Sequence, residues 1–267
     1  MKDTEIFKLL WDEYSTLNPA TKRIHGLFIQ NGEEVINDHI ALRTFNDWRI
    51  NIDVLARQFI KCGYVQKGDY IFSQKKLEAK HFALPNNPDA PLVFISQLQV
   101  EKFSNKLQKI ISELLDSVDS QIFYNENLIF SGRPWNNPSY EKYNLLREES
   151  EYAAWLYAFG FRANHFTINV NRLKKYTDLS LVNSFIKDNG YSINNSGGEI
   201  KGSPKQLLEQ SSTLASMVEV EFLEGKYKIP GCYYEFAKRY KNYAGKLFKG
   251  FIAGSADKIF ESTDFYT

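Results

Sequence analysis

Two stretches, Asn37-Asp38-His39-Ile40-Ala41-Leu42-Arg43-Thr44-Phe45 and Ala163-Asn164-His165-Phe166-Thr167-Ile168-Asn169-Val170, read as strands of the same construction. Side chains alternate between the faces of a strand, so Ile40 and Leu42 point one way while His39, Ala41 and Arg43 point the other. In the second stretch Phe166, Ile168 and Val170 oppose His165, Thr167 and Asn169. The chain has four histidines, and two of them occupy the polar faces of these strands. An imidazole on such a face needs a partner, and two in matching strands point to a shared metal ion.

The elements after each histidine strand also repeat. Beyond the first, residues 51–62 carry a helical pattern through Ile52, Leu55, Phe59 and Ile60, stopped at Gly63. Strand-like stretches come next at 64–72, 77–84 and 92–98. Beyond the second, a helical run over 179–187 closes at Asn189-Gly190, with strands expected at 191–193, 216–222 and 232–238. An opening helix over 4–17 carries a stripe of Ile6, Leu9, Leu10 and Tyr14. Between the halves lie a helix at about 101–117, an irregular stretch over 131–138 and a helix near 152–159. The pattern predicts an α+β fold in a single domain over 1–267. Two βαβββ-type modules, about 30–100 and 160–240, form an open, mostly antiparallel barrel with helices outside. The polar strand faces then line a cavity, and His39 and His165 meet there although 126 positions apart.

Charge narrows the function class. The 33 basic and 32 acidic residues are interspersed along 267 positions, which argues against nucleic-acid and membrane-surface partners. Cys62 and Cys232 are too far apart for a disulfide framework or a zinc knuckle. The opening Met1-Lys2-Asp3-Thr4-Glu5 is acidic, so no secretory leader is expected, and no apolar run reaches membrane-spanning length. A soluble, cytoplasmic protein handling a small molecule is the expectation.

A carboxylate would complete a facial triad of metal ligands. In Cys232-Tyr233-Tyr234-Glu235-Phe236-Ala237-Lys238-Arg239, Glu235 is the only acid, on the face of Tyr233, Ala237 and Arg239. Glu219 and Glu221 in 216–222 are the rivals, although alternate acids beside Glu224-Gly225-Lys226 resemble a solvated edge. Hydrogen-bonded structural histidines are the competing explanation for His39 and His165. His25 reads as a loop or helix-end residue, while His81 sits on an expected strand within reach of the cavity. Cys62 reads as packing, and Cys232 has no base beside it to make it a nucleophile. Arg43 lies roughly 13 Å along the strand from His39, on the same face. A guanidinium inside a cavity must be paired, either with a substrate carboxylate or with an internal acid such as Asp38 or Asp47.

Taken together, Asp38-His39-Ile40-Ala41-Leu42-Arg43-Thr44-Phe45, Asn164-His165-Phe166-Thr167, Leu208-Glu209-Gln210-Ser211-Ser212-Thr213 and Tyr233-Tyr234-Glu235-Phe236-Ala237-Lys238-Arg239 resemble the 2-oxoadipate dioxygenase/decarboxylase family. The likeness spans nearly the whole chain, and some members carry the label hydrolase. The closing Ala256-Asp257-Lys258-Ile259-Phe260-Glu261-Ser262-Thr263 is similar to the family's short bacterial branch. The resemblance implies a vicinal oxygen chelate-like fold, shared with hydroxyphenylpyruvate dioxygenase. It implies Fe(2+) held by His39, His165 and Glu235, Arg43 anchoring the substrate in catalysis, and Gln210 as a pocket residue, although the spacing around Gln210 differs from the family's pattern. The implied reaction takes 2-oxoadipate and O2 to 2-hydroxyglutarate and CO2, within lysine degradation. This chain is shorter than well-studied members, mainly between the two histidines, so the rim of its pocket differs. The same ligands suit Zn(2+), which leaves open a zinc-dependent hydrolase or a glyoxalase-like isomerase. A non-catalytic small-molecule binding protein that kept the barrel is the third reading, and oligomeric state is left open.

Overall fold

Two helices, α1 (Asp3–Leu17) and α2 (Pro19–Gln30), precede the first module: β1 (Asn37–Phe45), α3 (Ile52–Leu55), α4 (Arg57–Lys61), β2 (Val65–Phe72), β3 (Leu77–Ala83) and β4 (Leu92–Leu98). The connection is α5 (Asn105–Asp116), α6 (Ser120–Tyr124), α7 (Tyr140–Glu149) and α8 (Glu151–Phe159). The second part holds β5 (Ala163–Asn169), α9 (Leu179–Asp188), β6 (Lys201–Ser203), β7 (Leu208–Ser212), β8 (Met217–Phe222), β9 (Gly225–Pro230), β10 (Tyr233–Arg239) and α10 (Ala253–Ile259). These elements come from a computed structural model that describes residues 3–259 and 261. Phe260, Ser262 and Thr263 of the closing stretch lie outside the described residues.

Eight strands form one curled, open sheet in the order β2-β3-β4-β1-β5-β10-β7-β6. Its two parallel pairings are β1 with β4 and β5 with β10, and the other neighbours run antiparallel. Each module contributes four adjacent strands, and β1 and β5 form the seam between them. The order β2-β3-β4-β1 is thus mirrored by β6-β7-β10-β5.

The two faces divide as strand alternation requires. Ile40, Leu42, Phe166, Ile168 and Phe236 are buried on the convex face. There Trp11 and Tyr14 of α1 meet the ring of Phe166, each at 5.1 Å, and Phe28 of α2 meets Phe185 of α9 at 4.9 Å. These helices cover the outside of the sheet, where apolar burial supplies the main driving force. The concave face keeps the polar side chains. No described helix is long and apolar enough to cross a membrane.

Several expectations change. The helix over 51–62 breaks into α3 and α4 at Ala56, and Ile60 is exposed. Leu9 also faces solvent, so the stripe on α1 is Ile6, Leu10 and Tyr14. Residues 191–193 are not a strand; Ile193 makes only an isolated bridge to Thr213. The stretch at 216–222 is a strand, β8, but it pairs with β9 in a separate hairpin outside the barrel. Its barrel place is taken by β7, whose sequence Leu208-Glu209-Gln210-Ser211-Ser212 lacks an alternating apolar pattern. The hairpin instead packs through aromatic contact, Tyr227 stacking on Tyr140 at 3.7 Å. His25 lies within α2, on the convex side, where its ring meets Trp11 at 4.8 Å and its Nδ1 lies 3.1 Å from the Tyr234 hydroxyl.

The end of α8 depends on one residue without a side chain. Gly160 has φ +74°, and a Cβ there would stand 2.2 Å from the Gly132 carbonyl oxygen. Gly190 has a similar φ of +81° with nothing within 4 Å. Urea denaturation of Gly160→Ala is expected to show a loss of about 2 kcal/mol or more, since clash adds to strain. Gly190→Ala should cost only about 1 kcal/mol. Equal losses in the two variants would show that the contact with Gly132 carries no weight.

Candidate metal centre

Alternation on three strands aims three side chains at one point. His39 of β1 pairs in register with Thr167 of β5, and Ala41 with His165, so both imidazoles stand on the same concave face. β10 lies parallel to β5 with Glu235 beside Thr167, which brings its carboxylate to the same place. One ligand atom from each of His39, His165 and Glu235 lies within 4.8 Å of the others, and all three residues are buried. The His39 Nε2 is 3.4 Å from Glu235 Oε1, and the His165 Nε2 is 3.2 Å from Glu235 Oε2.

These separations suit a divalent ion. Ligands about 2.1 Å from a metal and near right angles to one another stand about 3 Å apart. Glu235 has no exposed surface, and its Oε2 accepts no hydrogen bond among the described residues. A buried carboxylate oxygen in that condition is costly unless a cation meets it. Two borderline imidazole donors and one hard carboxylate are a set that fits iron or zinc.

Neighbouring groups set the ring orientations. Asp38 accepts from His39 Nδ1 at 2.9 Å, which turns the Nε2 lone pair toward Glu235. Asn164 Oδ1 lies 3.3 Å from His165 Nδ1 and does the same for the second ring. Thr167 Oγ1 sits 3.1 Å from His39 Nε2. Burial would raise the Asp38 carboxyl, but the Arg239 guanidinium and His39 hold it well below the usual range. Burial likewise opposes ionisation of Glu235, yet His39, His165 and the Gln210 amide keep its pKa low. Burial pushes His165 down to about 3, with His39 and Arg43 adding to it, which favours the neutral imidazole. His39 moves up, because Glu235 and Asp38 outweigh its burial.

Gln210 lies beside the cluster, its Nε2 donating to Glu235 Oε1 at 2.5 Å. Arg43 is buried further along the concave face of β1, its guanidinium 4.9 Å from the Tyr152 ring and 5.1 Å from the Trp155 ring of α8. Of the internal acids considered for it, Asp38 pairs with Arg239 at 2.8 Å and Asp47 with Arg49 at 2.8 Å. Arg43 borders a cavity of about 300 Å³ that also meets Lys75, Lys76 and Tyr152. The space at the cluster itself is about 20 Å³, lined also by Phe94, Tyr233, Phe251 and Ile259.

Other candidates fall outside the cluster. Glu219 is on the exposed hairpin, 3.2 Å from Lys226, so it is a solvated edge residue. His81 is on the concave face, hydrogen-bonded to the Tyr70 hydroxyl at 2.8 Å and 5.4 Å from the Phe251 ring. Burial raises the Cys232 thiol to about 12, in keeping with an inert residue. Asp38 and Arg239 belong to the site although the sequence pattern does not single them out for it. Alternation places Asp38 on the far face of β1, but a register shift between Asn37 and His39 interrupts that alternation. The buried Lys201, at the sheet's far edge, likewise has no sequence signal; its Nζ donates to the Asn194 carbonyl at 2.5 Å.

Comparison with known proteins agrees with this geometry. The family model described as 2-oxoadipate dioxygenase/decarboxylase matches residues 5–133 and 128–248. A chloroplastic 2-oxoadipate dioxygenase/decarboxylase of Arabidopsis thaliana is 35% identical over 275 residues, covering 94% of this chain and 74% of that protein. The crystal structure of a Shewanella frigidimarina protein, provisionally named a hydrolase, has a TM-score of 0.88 at 49% identity, covering 94% of this chain and 98% of that one. The Oryza sativa hydroxyglutarate synthase in complex with 2-oxoadipate gives a TM-score of 0.91 at 34% identity, covering 98% and 91%. Sequence, architecture and the buried ligand cluster agree, and the chain belongs to the 2-oxoadipate dioxygenase/decarboxylase family.

Proposed function

We propose that this protein is an Fe(2+)-dependent dioxygenase/decarboxylase that converts a 2-oxo dicarboxylic acid, 2-oxoadipate, and O2 to 2-hydroxyglutarate and CO2. The observation that carries the reading is the convergence of His39, His165 and Glu235 with Arg43 on the same concave face. The atoms balance: the substrate loses one carbon as CO2, and the two oxygen atoms of O2 end in the new carboxylate and the new hydroxyl. Bound Fe(2+) would activate O2 and offer sites for a keto oxygen and its adjacent carboxylate, while the four electrons that reduce O2 come from the substrate, two in its decarboxylation and two in its hydroxylation.

The chain's own residues bind, orient and exclude water. Arg43 takes the distal carboxylate through its planar fork, held in place by the faces of Tyr152 and Trp155. That contact fixes which carbon of the substrate lies at the metal centre, a positioning role. Gln210 steadies the Glu235 carboxylate through its amide nitrogen. Its Oε1 accepts no hydrogen bond among the described residues, and the hydroxyl of the 2-hydroxyglutarate product is the donor it can take. Phe94, Phe251 and Ile259 keep bulk water from the reacting atoms.

Protein loaded anaerobically with Fe(2+) is expected to consume O2 on addition of 2-oxoadipate and release equimolar CO2 and 2-hydroxyglutarate, whereas Zn(2+) protein stays silent. Turnover without O2 would replace this reading with a hydrolase or isomerase. A protein that retains no metal would be a binding protein. Glu235→Ala should lose bound iron and Glu219→Ala should keep it, as metal analysis will show. For Arg43→Ala, KM for the dicarboxylic substrate should rise about ten- to a hundredfold with iron content unchanged. Equal wild-type efficiency on monocarboxylic 2-oxo acids would remove the anchoring role.

A further inference from the structure

Arg239 joins the metal centre to the segment that covers it. Its Nε donates to Asp38 Oδ1 at 2.9 Å and its Nη2 to Asp38 Oδ2 at 2.8 Å, a two-pronged pair with both side chains buried. The same Oδ2 accepts from His39 Nδ1 at 2.9 Å. The remaining nitrogen, Nη1, faces the other way and donates to the carbonyls of Phe248 at 3.2 Å and Gly250 at 2.8 Å. Those carbonyls belong to the turn that delivers Phe251, whose ring stands edge-on to the His39 imidazole at 4.8 Å and packs on Phe94 at 4.9 Å.

The segment beyond that turn crosses the mouth of the open sheet and is tied to both modules. The Phe251 amide donates to the Tyr70 hydroxyl at 3.1 Å in the first module. Asn194 in the second donates to the Lys258 carbonyl at 3.2 Å, and Ile259 of α10 lines the metal pocket. With about 20 Å³ of free space at the cluster, the pocket has room for little more than a water-sized ligand. A chelating 2-oxo acid therefore needs the walls of this pocket, Phe251 and Ile259 among them, to shift.

We propose that Asp38 and Arg239 are positioning residues that couple metal occupancy at His39 to closure of the segment from Phe251 to Ile259. A cation on His39 Nε2 strengthens the Nδ1–H donor, and so the Asp38 contact that holds Arg239 and its two carbonyls. The coupling is reciprocal: whatever metal binding adds to closure, closure adds to metal binding. It rests on the metal reading of the site given above.

Cobalt(II) chloride is the probe, titrated by its visible absorption, with hydrogen exchange read by mass spectrometry on the whole chain. In wild type, Co(2+) should slow exchange over 251–259 by about fivefold or more, within the usual range of such coupling. Asp38→Asn should weaken Co(2+) binding about ten- to a hundredfold. Arg239→Gln should weaken it too and leave exchange over 251–259 fast with or without metal. Arg239→Lys, which keeps the charge but loses the fork, should not restore either property. Failure of wild type to bind Co(2+) would overturn the metal reading itself. Binding that leaves exchange over 251–259 unchanged would overturn the coupling alone, and needs no variant to fold. Asp38→Asn or Arg239→Gln affinities within twofold of wild type would also overturn it.

Discussion

A fully buried carboxylate sets the terms for this structure. Glu235 lies on the inner wall of an open sheet, with an imidazole nitrogen near each oxygen and the Gln210 amide on one of them. Removing such a charge from water costs several kcal/mol, so its surroundings must return that energy through pairing and hydrogen bonds. The pairing partners come from β1 and β5, which are far apart in sequence and meet only because the two modules join along that seam. Assembly of the cluster therefore requires both halves to be folded and joined.

The twofold-like plan is broken at the point where chemistry requires it. In the second module, Thr167 stands two residues beyond His165 and faces Glu235 across the parallel pair. In the first, Ala41 stands two residues beyond His39 and faces Phe94. One module thus supplies a carboxylate where its counterpart supplies an aromatic ring. The result is a cluster of two histidines and one acid with an apolar wall beside it, against which Phe251 packs. Arg43 marks the other direction out of the cluster, toward the larger cavity, held between the aromatic rings of α8.

Legibility of these features depends on local chemistry. β1, β3 and β4 announce themselves because their buried faces alternate or run continuously apolar, as in Leu92-Val93-Phe94-Ile95, whereas β2 buries only Phe72. β7 does not, because its inner face serves a polar pocket with Gln210 and Ser212, while the outer face carries Glu209 and Ser211. The hairpin of β8 and β9 has the stronger strand pattern yet lies outside the sheet, since its Glu219 and Lys226 form an exposed pair. Periodicity reports that a segment is extended; it does not report which sheet receives it. The helix α2 is hard to read for a related reason, as Gly26 within it weakens the local preference while packing on the sheet sustains it.

The residue pattern alone determined the two matching histidine strands, the polar face they share with Arg43, and the acid on the last barrel strand, because alternation along a strand is a local property. Only the tertiary structure decided that Glu235 rather than Glu219 meets the imidazoles, and that Asp38 turns to Arg239 rather than to Arg43. It alone placed Phe251 and Ile259 over the pocket. Those outcomes depend on strand order, register and an irregularity at Asn37, which are relations between distant segments and leave no periodic trace in either one.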